Sequence, residues 1–180
     1  FDPMNTQLRN QENRRKGLVI GEKDKDRRAR DQYEFDNRSI SKLAVKGLNK
    51  LPKYTGVAYR IAPNFPLDTI KPGATFADNG FMSASPSLNG VTNFKPGPSD
   101  VMFVIHSKTA VNIVQFSGAD VEGEVLFRPG TKFKVVNVWR TNNYLVPTDA
   151  PAEVQMVMHS QKGNAMMSKK EFTCVETAEV

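Results

Sequence analysis

Phe116-Ser-Gly-Ala-Asp-Val-Glu-Gly-Glu-Val-Leu-Phe-Arg-Pro-Gly130 is the stretch on which the reading of this chain turns. Val125, Leu126 and Phe127 form an apolar strand, and Arg128-Pro129-Gly130 turns it. A strand places positions i and i+2 on one face, so Glu122 and Glu124 are expected to project side by side from one sheet edge. Two like charges so placed cost stability unless they do chemistry. Cleavage of a glycosidic bond uses such a pair: one carboxylate stabilises the oxocarbenium-like sugar and the other handles the incoming nucleophile. With 19 acidic residues in 180, a solvated strand start is the competing reading of this motif taken alone.

Two upstream segments bear on the choice. Gly80-Phe-Met-Ser-Ala-Ser-Pro-Ser87 alternates Phe81, Ser83 and Ser85 as a short strand does, and its hydroxyls can donate to a carboxylate. Tyr54-Thr-Gly-Val-Ala-Tyr-Arg-Ile-Ala-Pro63 is an apolar strand carrying Arg60, whose guanidinium can clamp a phosphate or carboxylate in a fork. Separately, each has an ordinary explanation: serines cap turns, and an arginine at a strand end is solvated.

Their order and spacing, an aromatic-Arg strand, then Phe-x-Ser-x-Ser, then Glu-x-Glu, resemble the arginine–serine–glutamate class of mono-ADP-ribosyltransferases over about residues 40–160. The flank Glu124-Val-Leu-Phe-Arg-Pro-Gly-Thr-Lys-Phe-Lys-Val135 is similar to the family's strand after the catalytic glutamate. The members it most resembles are toxin domains at the C-termini of bacterial secreted effectors. The resemblance implies NAD as substrate, with Glu124 on the ribose 2′-hydroxyl and Ser83 holding Glu124 by a hydrogen bond. It implies Arg60 on the pyrophosphate or adjacent ribose, and Glu122 orienting and deprotonating the acceptor. Ile61, Ser85 and Phe94 complete the expected cofactor contacts, Phe94 by stacking on nicotinamide. A carboxylate fits a guanidinium in a two-point fork, which makes an arginine of a target protein the expected acceptor. RNA is the alternative acceptor, and a binding module without turnover is the alternative outside enzymes. A self-toxic enzyme further implies a cognate immunity protein.

Composition bounds these expectations. The length suits one domain with a real core. No apolar run approaches the roughly 20 residues that span a bilayer, and no membrane partner is expected. Phe1-Asp-Pro-Met-Asn-Thr6 carries no secretory-signal pattern, and the chain reads as a C-terminal segment of a larger secreted protein that acts in the target-cell cytoplasm. Cys174 is the single cysteine, read as a small apolar residue, so no intrachain disulfide is available, as suits a reducing compartment. No Cys/His cluster has metal-ligand spacing, and no Gly-rich phosphate loop occurs. The net charge of +6 is uneven: residues 1–60 hold 15 Lys/Arg against 8 Asp/Glu. Acids interleave this basic region, which favours a solvated helical arm over a nucleic-acid surface.

The expected class is α+β, with N-terminal helices packed on a mostly antiparallel, sandwich-like β core that holds an NAD cleft. Residues 1–38 are a basic helical arm, 39–160 the catalytic core, and 161–180 a tail or edge strand. Ser39 is expected to cap a helix whose buried stripe is Ile40, Leu43, Ala44 and Leu48. Strands are expected at Val57–Ile61, Gly80–Ser85, Val101–His106, Val111–Gln115, Glu124–Phe127, Thr131–Trp139 and Val154–Met158. Pro86–Pro98, rich in turn formers, is expected to be a loop.

Overall fold

The computed structural model describes residues 39–87, 89–92, 99–116, 123–141 and 172–180. The basic arm, Glu122, Phe94 and the strand expected at Val154–Met158 lie outside the described residues. Helix α1 (39–48) leads into β1 (Lys53–Ala62), β2 (Thr75–Ala77), β3 (Met82–Ala84), the one-turn helix α2 (Asn89–Thr92) and β4 (Val101–Asn112). Then follow β5 (Val125–Phe127), β6 (Lys132–Thr141) and β7 (Phe172–Glu179). The strands join one seven-stranded sheet in the order β2-β6-β7-β4-β5-β3, with β1 also paired to β4. Every pairing is antiparallel except β4 with β7. The sheet is continuous among the described residues, where a sandwich-like core is expected, and of the expected N-terminal helices only α1 lies among those residues.

β4 organises the fold because it is apolar on both faces, which only a strand covered on both sides tolerates. Val101, Phe103 and Ile105 enter one core with Ala58, Met82, Val125, Phe127, Phe133 and Val175. Met102 and Val104 enter another with Tyr59, Val91, Phe172 and Cys174. Phe65, Phe76, Phe103, Phe133 and Phe127 form a chain of ring contacts with centroids 5.1–5.9 Å apart, tilted or edge-on as aromatic quadrupoles prefer. The strands expected at Val101–His106 and Val111–Gln115 are one strand to Asn112, followed by a 3-10 turn at Val114–Phe116. The turn residues sit beyond the strand's last pairing, Asn112 with Val125.

Two expectations are corrected here. β7 is no tail or edge: it lies between β6 and β4, and Phe172 through Thr177 are all buried. Its carboxylates find partners far along the chain, although Glu176 Oε2 is buried without one. Glu176 pairs with His106 at 2.8 Å, and Glu179 accepts from the backbone N–H groups of Lys108 and Thr109 at 2.6 and 2.8 Å. In α1, Ser41 and Leu48 are buried, Ala44 and Val45 pack towards the core, and Ile40 and Leu43 are exposed. The buried stripe is therefore 41-44-45-48, an i, i+3, i+4, i+7 pattern one residue round from the one expected. Ser39 already has helical geometry.

Candidate active site

The cleft is built where β1, β3 and the entry to β5 meet. Tyr59 and Ser85 form an isolated antiparallel bridge, exchanging N–H···O bonds of 2.7 and 2.8 Å. β3 then pairs β5 with Ser83 opposite Leu126 and Ala84 opposite Val125. The ladder ends there, and the next residues, Ser85 and Glu124, both line the cleft. Glu124 is itself anchored, because its carbonyl accepts from Ile113 N–H at 2.9 Å at the end of β4. Tyr59, Arg60, Ile61, Ser83, Ser85 and Glu124 thus line a single cleft of about 310 Å³, walled by Gly90 and Val91 of α2.

Arg60 is braced across the cleft: its Nη1 donates to the Ser83 carbonyl at 2.7 Å, tying β1 to β3 by a charge-assisted bond. Ser85 is nearly buried, and its Oγ accepts from Ser87 N–H at 3.1 Å, so this hydroxyl holds the turn after β3. The expected hydrogen bond from Ser83 to Glu124 is not formed; the two residues share the cleft without one. Burial, and secondarily Tyr54, raises the Tyr59 hydroxyl pKa well above the ordinary tyrosine range. Cys174 is fully buried with its thiol pKa pushed up by desolvation, which removes it as a nucleophile.

The geometric premise for the glutamate pair also changes. β5 begins at Val125, and Gly123 has φ +54, so the chain between Glu122 and Glu124 is not an extended strand. The i, i+2 alternation does not pass through that residue. Gly123 also sits under Pro86: a Cβ built on it would lie 3.2 Å from Pro86 Cγ. This glycine is the backbone corner that delivers Glu124 to the cleft. Tyr59, Gly90, Val91 and Gly123 were missed as cleft residues; only Tyr59 had a usable signal, as the aromatic preceding Arg60. Among the described residues no group of three or more His, Cys, Asp or Glu is placed to hold a metal, and no helix is long and apolar enough to cross a membrane.

A family model for NAD:arginine ADP-ribosyltransferases matches residues 24–147, more than half of the chain. The chain belongs to that family. It is 37% identical over 93 residues to the NAD(+)–protein-arginine ADP-ribosyltransferase Tre1 of Serratia proteamaculans, covering 51% of this chain and 19% of Tre1. It is 27% identical over 140 residues to Vis of Vibrio splendidus, covering 72% of this chain and 56% of Vis. The chain therefore spans less than two thirds of either relative. The solved structure of the Vis toxin, an ADP-ribosyltransferase, superposes over 100% of this chain and 67% of its own, with TM-score 0.64 and 20% identity, a likeness of fold.

Proposed function

We propose that this domain transfers ADP-ribose from NAD to an arginine of a target protein and releases nicotinamide. The observation that carries the reading is the convergence of Arg60, Ser83 and Glu124, from three separate segments, on one cleft. Its volume, about 310 Å³, is at the small end for ligand pockets and suits the nicotinamide riboside end of the dinucleotide. Ile61 and Val91 offer apolar surface to a flat ring, while Arg60 and Glu124 bring charge of opposite sign.

In the reaction, the bond from ribose C1′ to the nicotinamide nitrogen breaks and its electron pair leaves with nicotinamide. The leaving group is cationic beforehand, so the ribose carbon, which becomes electron-poor, is what needs stabilising. Glu124 opposes that charge and accepts from the ribose 2′-hydroxyl. Arg60 holds the pyrophosphate or the neighbouring ribose, its position fixed by the Ser83 carbonyl. Ser83 Oγ completes the contact with Glu124 once substrate fills the cleft, in keeping with catalytic hydrogen bonds that tighten only in the complex. A guanidine nitrogen of the acceptor then bonds to C1′, and Glu122 takes its proton. Phe94 closes over nicotinamide.

Arginine as acceptor is supported by the family and by the name of Tre1. A Vis structure has been solved in complex with agmatine, itself a guanidine. The Vis toxin supports reading this domain as a toxin; secretion by the producing cell, action in a recipient cell and neutralisation by an immunity protein are part of the same proposal. Labelled NAD incubated with the domain and a lysate tests the reading. Label released by protease but not by nuclease is expected. Label released by nuclease would make RNA the acceptor, and no label at all would leave a binding module.

A further inference from the structure

We propose that a second cleft, at the end of β5 remote from Glu124, binds a small phosphate-class oxyanion through Arg128. This cleft, about 400 Å³, is lined by Thr109, Arg128, Thr131, Lys132 and Glu179 among others, and shares no residue with the first. Arg128 is half-buried, yet its own chain hardly engages it. Its Nε is sealed from solvent with no acceptor, and its Nη2 reaches the Thr109 carbonyl only at 3.5 Å, the outer limit of a hydrogen bond. Among the described residues it forms no ion pair.

The one side-chain carboxylate in the cleft is committed elsewhere. Glu179 accepts from Lys108 N–H, Thr109 N–H and the Thr109 hydroxyl, so its oxygens are spent on β4. The cleft therefore holds two cations, Arg128 and Lys132, and one side-chain carboxylate whose oxygens already accept three hydrogen bonds. A guanidinium partly withdrawn from water without acceptors is costly, and its planar fork is best satisfied by an anion offering two oxygens. A phosphate dianion offers charge and oxygens to both cations, whereas a carboxylate would engage one of them; Glu179 opposes either anion, and two cations against one side-chain carboxylate leave the balance positive.

The frame around Arg128 is rigid. Its carbonyl accepts from Thr131 N–H at 3.1 Å and Thr131 Oγ1 at 2.7 Å, and Gly130 N–H donates to the Asp78 carbonyl at 2.7 Å. Only the side chain has to adjust to take a ligand, which keeps the ordering cost of binding small. The inference stands apart from the proposed catalytic cleft and does not depend on its chemistry.

The test is a titration of the whole chain followed by backbone amide NMR at constant ionic strength, with inorganic phosphate in one arm and AMP in the other. Saturable shifts are expected at the Thr109, Gly130 and Thr131 amides. Arg128→Gln should weaken them by about tenfold or more, as loss of a charged hydrogen-bonding group does. Lys132→Gln, at an exposed rim, should cost about threefold. Tighter binding by AMP would identify a nucleotide phosphate, and equal or tighter binding by phosphate a free ion; either supports the site. Shifts absent with both probes, confined to Ser83, Gly90 and Glu124, or unchanged in affinity by Arg128→Gln would overturn it. If Arg128→Gln does not fold, Arg128→Lys decides. The proposal requires lysine to bind more weakly, because a point charge lacks the fork, and equal affinity would end it.

Discussion

Replacing Gly123 by alanine tests whether the backbone corner before β5 is what places Glu124. At φ +54 a residue with a Cβ costs about 1–2 kcal/mol relative to glycine. The new Cβ would also lie 3.2 Å from Pro86 Cγ and 3.4 Å from Pro86 Cδ, closer than ordinary van der Waals contact. Pro86 cannot retreat easily, because the preceding Ser85 is fixed to Tyr59 by two backbone hydrogen bonds. Crowding of this kind adds on the order of 1 kcal/mol, for a total near 2–3 kcal/mol out of the roughly 5–15 that a domain has. The chain can relieve the strain only by leaving the left-handed region, which swings Glu124 away from Ser85. Gly130→Ala is the matched control: it has φ +79 but meets no atom within 4 Å, so it carries strain without collision and lies outside the cleft. Urea unfolding should show Gly123→Ala to be the less stable of the two, and NAD hydrolysis should fall in Gly123→Ala alone. If both variants lose the same stability and both hydrolyse NAD at the wild-type rate, the corner has no such role.

Glu124→Gln keeps size but removes the charge opposing the oxocarbenium, and should lower both transfer and NAD hydrolysis by about 10²–10³ in rate; wild-type hydrolysis would remove Glu124 from the centre of the mechanism. Glu122→Gln should abolish transfer while NAD cleavage to water survives, and parallel loss of both would mean that the glutamates act as one unit. Arg60→Ala should chiefly raise KM for NAD, with partial rescue by Arg60→Lys, which supplies charge without a fork; full rescue would show that charge suffices. Deleting residues 1–32 should leave NAD hydrolysis intact, since the cleft begins at Tyr59. An insoluble or inactive product would make that segment part of the fold.

The cleft was legible to the extent that its residues carry local marks. Arg60 ends an apolar run beside an aromatic, Ser83 and Ser85 alternate, and Glu124 precedes three apolar residues and a Pro-Gly turn. Each mark is short-range, and these residues line one cleft. What failed depended on partners far along the chain. β7 reads as a polar tail because Glu176 and Glu179 look solvated, but their partners lie about 70 residues away on β4. β2 is three residues long and is recognisable only through its pairing with β6. Ala44 and Leu48 belong to both stripes on α1; the difference is that Ile40 and Leu43 look more apolar than the pair Ser41 and Val45, which the structure turns inward. Periodicity gives the spacing of a buried face, but the phase is set by what it packs on, here Phe81, Val111, Ile113 and Leu126.

Strand order explains why separated motifs can share one small cleft. β1 pairs with β4, β4 with β5, β5 with β3, and β3 returns to β1 through the Tyr59–Ser85 bridge. This is a circuit of four strands closed by one bridge, so each member is tied at more than one point against slipping. A one-residue slip of β3 would turn Ser83 and Ser85 towards the core occupied by Met82 and Ala84, burying hydroxyls and exposing apolar groups. A slip of β5, apolar on both faces, would exchange Leu126 with Val125 and Phe127 between two differently shaped cores and break the bond from Ile113 N–H to the Glu124 carbonyl. The apolar packing of β3 and β5 thus sets the register of the polar residues beside it. Arg60 adds a further tie, since its bond to the Ser83 carbonyl spans β1 and β3 next to the bridge. The residues proposed to meet NAD are therefore held by core packing and backbone pairing, so the cleft can keep two opposed charges, Arg60 and Glu124, apart and facing the same space before substrate arrives.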